Sequence, residues 1–253
     1  MTIKTAFLNG VASIEIARPE KKNALNQAMY TGMSDALDAA QADAGVRAVL
    51  FYGQPGLFTS GNDIEDFVAR PPSNEEAPVT RFLRTLLVFD KPVVAAVTGA
   101  AIGIGTTMLL HCDLVFVSDE ARLAMPFASL GLVPEFGSSL LIPRLMGHAK
   151  AAEKLLLGVP FTGSEAVDCG LANAVLPSAE VLNHARRIAE RFNALPPGAV
   201  RDTKRLMRQP LLAAVQQAMA AENELFRARL RGPESAEAFQ AFFQKRPPDF
   251  SKF

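Results

Sequence analysis

The chain has 253 residues, 49% of them hydrophobic and 21% charged, and its 26 basic and 26 acidic side chains leave no formal net charge. That is the make-up of an ordinary globular chain with one core unit and a smaller appendage, and it excludes the electrostatic footprint of a nucleic-acid or anionic-membrane binder. No apolar run approaches the ~18 residues of a membrane span. Cys112 and Cys169 have no CxxC spacing and no paired histidine, as expected of reduced, buried thiols in a reducing compartment. The first residues already read as a strand, and the final Ser251-Lys252-Phe253 lacks the leucine of the peroxisomal address, so a cytoplasmic location is expected.

Runs at residues 5–8 and 13–16 flank Asn9-Gly10, the turn dipeptide of a β-hairpin. After a polar loop from Arg18 to Asn23, Asn26 can cap a helix whose apolar face is Met29, Met33, Leu37 and Ala40. Residues 46–52 form a buried strand leading to Gly53-Gln54-Pro55-Gly56 and then Phe58 to Ile64. Residues 70–80 carry Pro, Ser and Glu without periodicity and suit a mobile loop, whereas 81–89 read as a helix ending before Lys91-Pro92. The apolar run 93–97 ends at Thr98-Gly99, and Gly99, Gly103 and Gly105 carry the backbone into an apolar helix over 104–110. Short strands follow at 114–117 and 122–125.

Beyond Ser139 the pattern is mainly helical. A short helix opens at Gly163 and closes at Gly170, a last strand occupies 174–176, and later helices are separated by Pro196-Pro197-Gly198 and Gly232-Pro233. The order predicts an α/β core over residues 1–195 and a helical region over 196–253. The final helix, 235–245, groups Phe239, Phe242 and Phe243. That is more aromatic surface than a lone terminal helix buries, so subunit contact is expected.

The stretch from Val93 to Ser139 carries the chemistry. Glycines at a strand-to-helix junction let backbone N–H groups approach a ligand at the positive end of a helix, a place for an oxygen that gains negative charge. Farther on, Glu135 sits in Val-Pro-Glu-Phe-Gly among apolar neighbours with no cation beside it in sequence. The same glycines fit the dinucleotide turn of short-chain dehydrogenases, but that turn belongs near the N-terminus and needs a Tyr-x-x-x-Lys pair. Tyr30 is followed at that spacing by Ser34, and Tyr52 by Gly56. One histidine beside one cysteine at His111-Cys112 fills too few positions for a metal, and no metal site is expected.

Asp90 to Val97 followed by TGAAIGIGTTMLLHCD resembles the enoyl-CoA hydratase/isomerase, or crotonase, family. So do Ile16-Ala17-Arg18-Pro19 with Asn23-Ala24-Leu25-Asn26, Phe58 to Ile64, Leu130 to Pro134, and Glu165-Ala166 through Gly170-Leu171 and Pro177. The resemblance spans nearly the whole chain. It implies a crotonase-like spiral of ββα units, a helical C-terminal trimerisation region, a homotrimer or hexamer, and an acyl-CoA thioester as substrate. Coenzyme A would belong to the substrate, with no other cofactor.

The family's shared chemistry is stabilisation of a thioester enolate by two backbone N–H groups, which by motif position fall on Asn62 and Ile104. Such a donor is worth on the order of 3 kcal/mol when aimed at a developing oxyanion. The hydratases resemble one another in two glutamates, and here those positions hold Thr107 and Phe127, neither of which can act as a base near neutral pH. Glu135 stands where the Δ3,Δ2-enoyl-CoA isomerases carry their single catalytic glutamate. The resemblance therefore favours an isomerase in which Glu135 moves a proton from C2 to C4. Weak hydration or another enolate-forming reaction is the alternative within the family, and a non-catalytic acyl-CoA-binding homologue the alternative outside catalysis.

For the nucleotide and thioester, the resemblance points to Lys22, Ala24 and Leu25 and to the turn of Ser60, Gly61, Asp63 and Ile64. Gly103 and Phe127 belong to the same surface. Phe243 or Lys245 of the last helix would close over the coenzyme. The acyl pocket is expected to be lined partly by the 70–80 loop and the 81–89 helix.

Overall fold

The computed structural model describes residues 2–71 and 76–253. Its strands in chain order are β1 (Ile3–Leu8), β2 (Val11–Ile16), β3 (Ala48–Tyr52), β4 (Leu57–Thr59), β5 (Val93–Val97), β6 (Ala100–Ile102), β7 (Leu114–Ser118), β8 (Arg122–Ala124), β9 (Phe161–Thr162) and β10 (Ala174–Leu176). The helices are α1 (Gln27–Ala42), α2 (Ile64–Ala69), α3 (Pro78–Val88), α4 (Ile104–Thr107), α5 (Ser138–Met146), α6 (His148–Leu156), α7 (Gly163–Asp168), α8 (Ser178–Glu190), α9 (Pro197–Leu230) and α10 (Pro233–Gln244).

Asn9 and Gly10 both take positive φ, 49° and 72°, which closes β1 on β2 antiparallel with Leu8 opposite Val11. From β2 the larger sheet continues in parallel through β3, β5, β7 and β10. Its central strands are continuous apolar runs because both faces are covered. Side chains alternate, so Val49, Phe51, Val93, Ala95 and Val97 join the main core, while Ala48, Leu50, Val94 and Ala96 pack under Val181, Ala185 and Ala189 of α8.

The chain leaves β3, β5 and β7 into β4, β6 and β8, which pair in parallel as a second sheet completed by antiparallel β9. Each long strand followed by a short one and then helix is one turn of a ββα spiral. Of the second sheet only β8 was legible as a strand, the run expected over 122–125. Elsewhere in it the periodicity of two or three residues is too short to see, and residues 100–102 read instead as part of the glycine turn.

Element types agree elsewhere, with shifts at the ends. The helix expected over 81–89 begins at Pro78, which suits the first turn because proline has no N–H to lose there. The apolar helix expected over 104–110 is α4 followed by a 3₁₀ turn at Met108–His111. The helix expected over 235–245 runs from Pro233 to Gln244, with Lys245 as a left-handed cap at φ 52°. Of the mobile loop expected over 70–80, residues 72–75 lie outside the described residues.

Helices α9 and α10 are continuous with the core. Val215, Met219 and Phe226 of α9 and Phe239 of α10 belong to the main apolar cluster, whereas Phe242 and Phe243 are exposed. Cys112 and Cys169 are free thiols. No helix among the described residues is long and apolar enough to cross a membrane.

Candidate active site

Two turns converge at the ends of β4 and β6. Asn62 follows Ser60-Gly61, and Ile104 follows Gly103 as the first residue of α4; together these residues line a cavity of about 80 Å³ with Phe127 and Phe239. The backbone on either side of Asn62 is fixed by Leu25, whose N–H donates to Gly61 O (2.8 Å) and whose carbonyl accepts from Asp63 N–H (2.9 Å). Gly61 sits at φ 93°, where a Cβ would stand 2.9 Å from Ile102 O, so the two turns approach as closely as a missing side chain permits. Gly103 is at φ 56°, ψ −118°, a conformation open to glycine and strained for any other residue. As the first helical residue, Ile104 has an N–H with no acceptor inside the helix.

Glu135 is 5% exposed, and its Oε1 is buried without a hydrogen-bond partner. Burial, reinforced by the nearby Glu222 carboxylate, pushes its pKa from 4.5 up to about 8. The turn that carries it is held from several sides. Phe136 adopts φ 60° and Gly137 φ 73°, two successive left-handed residues. The His111 ring N–H donates to Phe136 O (2.8 Å) and the ring stacks on the Phe136 ring at 3.8 Å, while the Ser138 hydroxyl donates to Glu135 O (2.6 Å). Burial drives the His111 pKa down to about 3, so the ring is neutral and serves as a fixed donor. Glu222 of α9 accepts from Gly137 N–H (2.6 Å), Ser139 N–H (2.9 Å) and the Ser139 hydroxyl.

Tyr30 joins the two halves. Its phenol donates to Asn62 Oδ1, and its pKa is raised well above the usual value by burial and then by the charges of Glu135 and Asp66. Tyr30 also lines a second cavity of about 490 Å³, with Leu25, Gln27, Asp66, Phe67, Arg70 and the start of α3 among its walls. Of the two segments expected to line the acyl pocket, residues of the 70–80 stretch line this cavity and residues 81–89 do not. Glu135 is not among the residues that line either cavity.

The residues expected around the coenzyme fall in several places. Ser60, Gly61, Ile64, Gly103 and Phe127 line the small cavity with the two oxyanion candidates. Leu25 is buried in the wall of the larger one, while Lys22, left-handed at φ 52°, is exposed and Ala24 half-buried. The Asp63 side chain is engaged: it pairs with Arg18 at 2.6 Å and caps α2 through Asp66 N–H. Burial opposes its ionisation, but the hydrogen bonds from Arg18 and the Asp66 amide hold its pKa below the usual range. Phe243 and Lys245 are exposed at the end of α10, and the residue of that helix that lines the small cavity is Phe239. Thr107 is fully buried with its hydroxyl unpartnered. Among the described residues no three His, Cys, Asp or Glu side chains gather as metal ligands.

Sequence reasoning passed over Tyr30 and Glu222. Tyr30 follows Met29 on the apolar side of α1, and only the fold brings Asn62 to it. Glu222 did leave a signal, a carboxylate in register with Val215, Met219 and Phe226 on the buried stripe of α9.

A model of the family described as enoyl-CoA hydratase/isomerase matches residues 6–252. The chain belongs to the enoyl-CoA hydratase/isomerase family. The fold is accordingly the crotonase α/β fold. It superimposes on the structure of OdaA from Pseudomonas aeruginosa with a TM-score of 0.93 and 54% identity, covering 95% of this chain and 98% of that one. Enoyl-CoA delta isomerase 2 of Rattus norvegicus is 35% identical over 94% of this chain and 62% of its own length. The 2,3-dehydroadipyl-CoA hydratase of Escherichia coli (strain K12) is 31% identical over 95% of this chain and 94% of its own. This member of the family acts on acyl-CoA, and its relatives divide between isomerases and hydratases.

Proposed function

We propose that the protein is a Δ3,Δ2-enoyl-CoA isomerase. The observation that carries this reading is Glu135, a buried carboxyl with an unpartnered oxygen whose charge is felt at Tyr30, the donor to Asn62 Oδ1, while Thr107 and Phe127 stand where the resemblance puts the hydratase acids. In this reading the thioester oxygen of a 3-enoyl-CoA sits between the Asn62 and Ile104 amides. Ionised Glu135 removes a C2 proton, the electron pair delocalises into a dienolate held by the two N–H groups, and the same carboxyl returns the proton at C4. Atoms and charge balance with no water added and no cofactor beyond the coenzyme A of the substrate. A carboxylate whose pKa lies near 8 is a stronger base than an exposed one, which suits it to a weakly acidic carbon.

The acyl chain enters the 490 Å³ cavity in front of α3, and the nucleotide lies along Lys22, Ala24 and the Ser60–Ile64 turn under the end of α10. Exposed Leu206 and Met207 of α9, 65% and 76% accessible, supply apolar surface for a homotrimer or a dimer of trimers. The test is to follow conjugation of a 3-enoyl-CoA and hydration of crotonyl-CoA in parallel. Isomerisation should exceed hydration by about a hundredfold, the scale of one missing acid-base group. Comparable rates, or dominant hydration, would reject the isomerase reading.

A further inference from the structure

The catalytic turn rests on a helix from the far end of the chain. Gly137 N–H and Ser139 N–H both point at one carboxylate, Glu222, 83–85 residues later in sequence and 5% exposed. A helix start could be capped by any small polar neighbour at little cost. Burying a full charge there is expensive unless that charge does something a neutral cap does not. The segment it grips is the left-handed pair Phe136-Gly137, directly after Glu135.

We propose that Glu222 is the positioning residue for Glu135, gripping the strained turn that aims it and setting a second carboxyl beside it. The inference rests on the reading of Glu135 as the base. Burial raises the Glu222 pKa, and hydrogen bonds from Ser139 and Gly137 oppose the rise; both its oxygens accept such bonds whereas Glu135 Oε1 accepts none, so of the two carboxyls Glu222 is the better placed to ionise first. The other titratable groups around the pair do not replace it. His111 from the 3₁₀ turn is neutral, Tyr30 from α1 is a protonated phenol, and Asp66 of α2 acts on Tyr30. Arg208 of α9 is engaged with His111 O (2.6 Å) and Asp113 (2.9 Å).

The experiment compares Glu222→Gln and Glu222→Asp with wild type in pH–rate profiles for 3-enoyl-CoA isomerisation. Gln removes the charge and turns an amide NH₂ toward a backbone donor. Its profile should therefore move toward lower pH by about one unit, with a plateau about tenfold lower. Asp keeps the charge but shortens the reach, so its plateau should fall while its midpoint stays. A lower plateau with an unmoved midpoint in the Gln variant would reduce Glu222 to a helix cap and overturn the proposal. The same displacement should appear without catalysis, in the pH range over which thermal stability falls. If that range moves although Glu135→Gln leaves isomerisation intact, the assignment of the base fails and the coupling of the two carboxyls stands. If the range does not move, the coupling itself is wrong.

Discussion

Replacing Glu135 by glutamine should stabilise the protein in alkali and do little in acid. In the folded chain the carboxyl is buried beside Glu222 and holds its proton up to about pH 8; in the unfolded chain it releases it near 4.5. Between those values the native state binds one more proton than the unfolded state, so stability falls as pH rises. The favourable difference is complete below about pH 4.5 and is gone once pH passes through about 8. At about 1.4 kcal/mol per pH unit, ionisation in place removes roughly 5 kcal/mol, an upper bound because water and side chains relax around a new charge. Glutamine has nearly the same shape and never ionises, so it escapes the loss. The assay is thermal unfolding of wild type and Glu135→Gln at pH 5, 7 and 9 at one protein concentration, since subunit association also shifts the midpoint. The variant's Tm relative to wild type should rise by about 5 °C or more from pH 5 to pH 9, at about 2–4 °C per kcal/mol for a chain of this size. A difference that is the same at pH 5 and pH 9 would mean that Glu135 is not held protonated by its site.

Catalysis should show the opposite sign, because the base works only when ionised: isomerisation should rise with pH through about 8 and then level, a tenth of the carboxyl being charged one unit below the midpoint. A rate flat from pH 6 to 9 would contradict this. Gly103→Ala has room for a methyl group, the nearest atom being Phe127 Cε1 at 3.9 Å, yet φ 56° with ψ −118° does not suit alanine. We expect a loss of about 1–3 kcal/mol in urea unfolding and, as the Ile104 amide turns away, about a hundredfold in kcat. Tyr30→Phe leaves Asn62 Oδ1 without its donor and should lower kcat about tenfold with KM little changed; an unaltered kcat would show that the phenol does not hold the oxyanion turn.

The larger sheet was legible because each of its inner strands is a run of apolar residues bounded by turn residues, as in Val93–Val97 before Thr98-Gly99. Of the second sheet only β8 was, as the run 122–125; β4 and β6 have three residues each and owe their conformation to pairing in the sheet. The same division holds in the site. Glycines at 61, 99 and 103 and the proline before Glu135 mark local backbone requirements, and local requirements are written in adjacent residues. Tyr30 meets Asn62, and Glu222 meets Gly137, only after strands and helices far apart in sequence have packed. A long-range partner of that kind is foreshadowed at most by a polar residue on an apolar stripe, as Glu222 is on α9. Asp63 belongs to the turn expected beside the coenzyme, and its side chain is committed to Arg18 and to the start of α2.

The measurement that bears most directly on Glu135 as the sole proton carrier is the steady-state rate of 3-enoyl-CoA conjugation by Glu135→Gln at pH 8, with acyl-CoA affinity measured on the same preparation. The account predicts that kcat falls by at least about a hundredfold while the dissociation constant stays within a few-fold of wild type. A variant that binds and isomerises like wild type would contradict it, and the proton would have to be carried by another group.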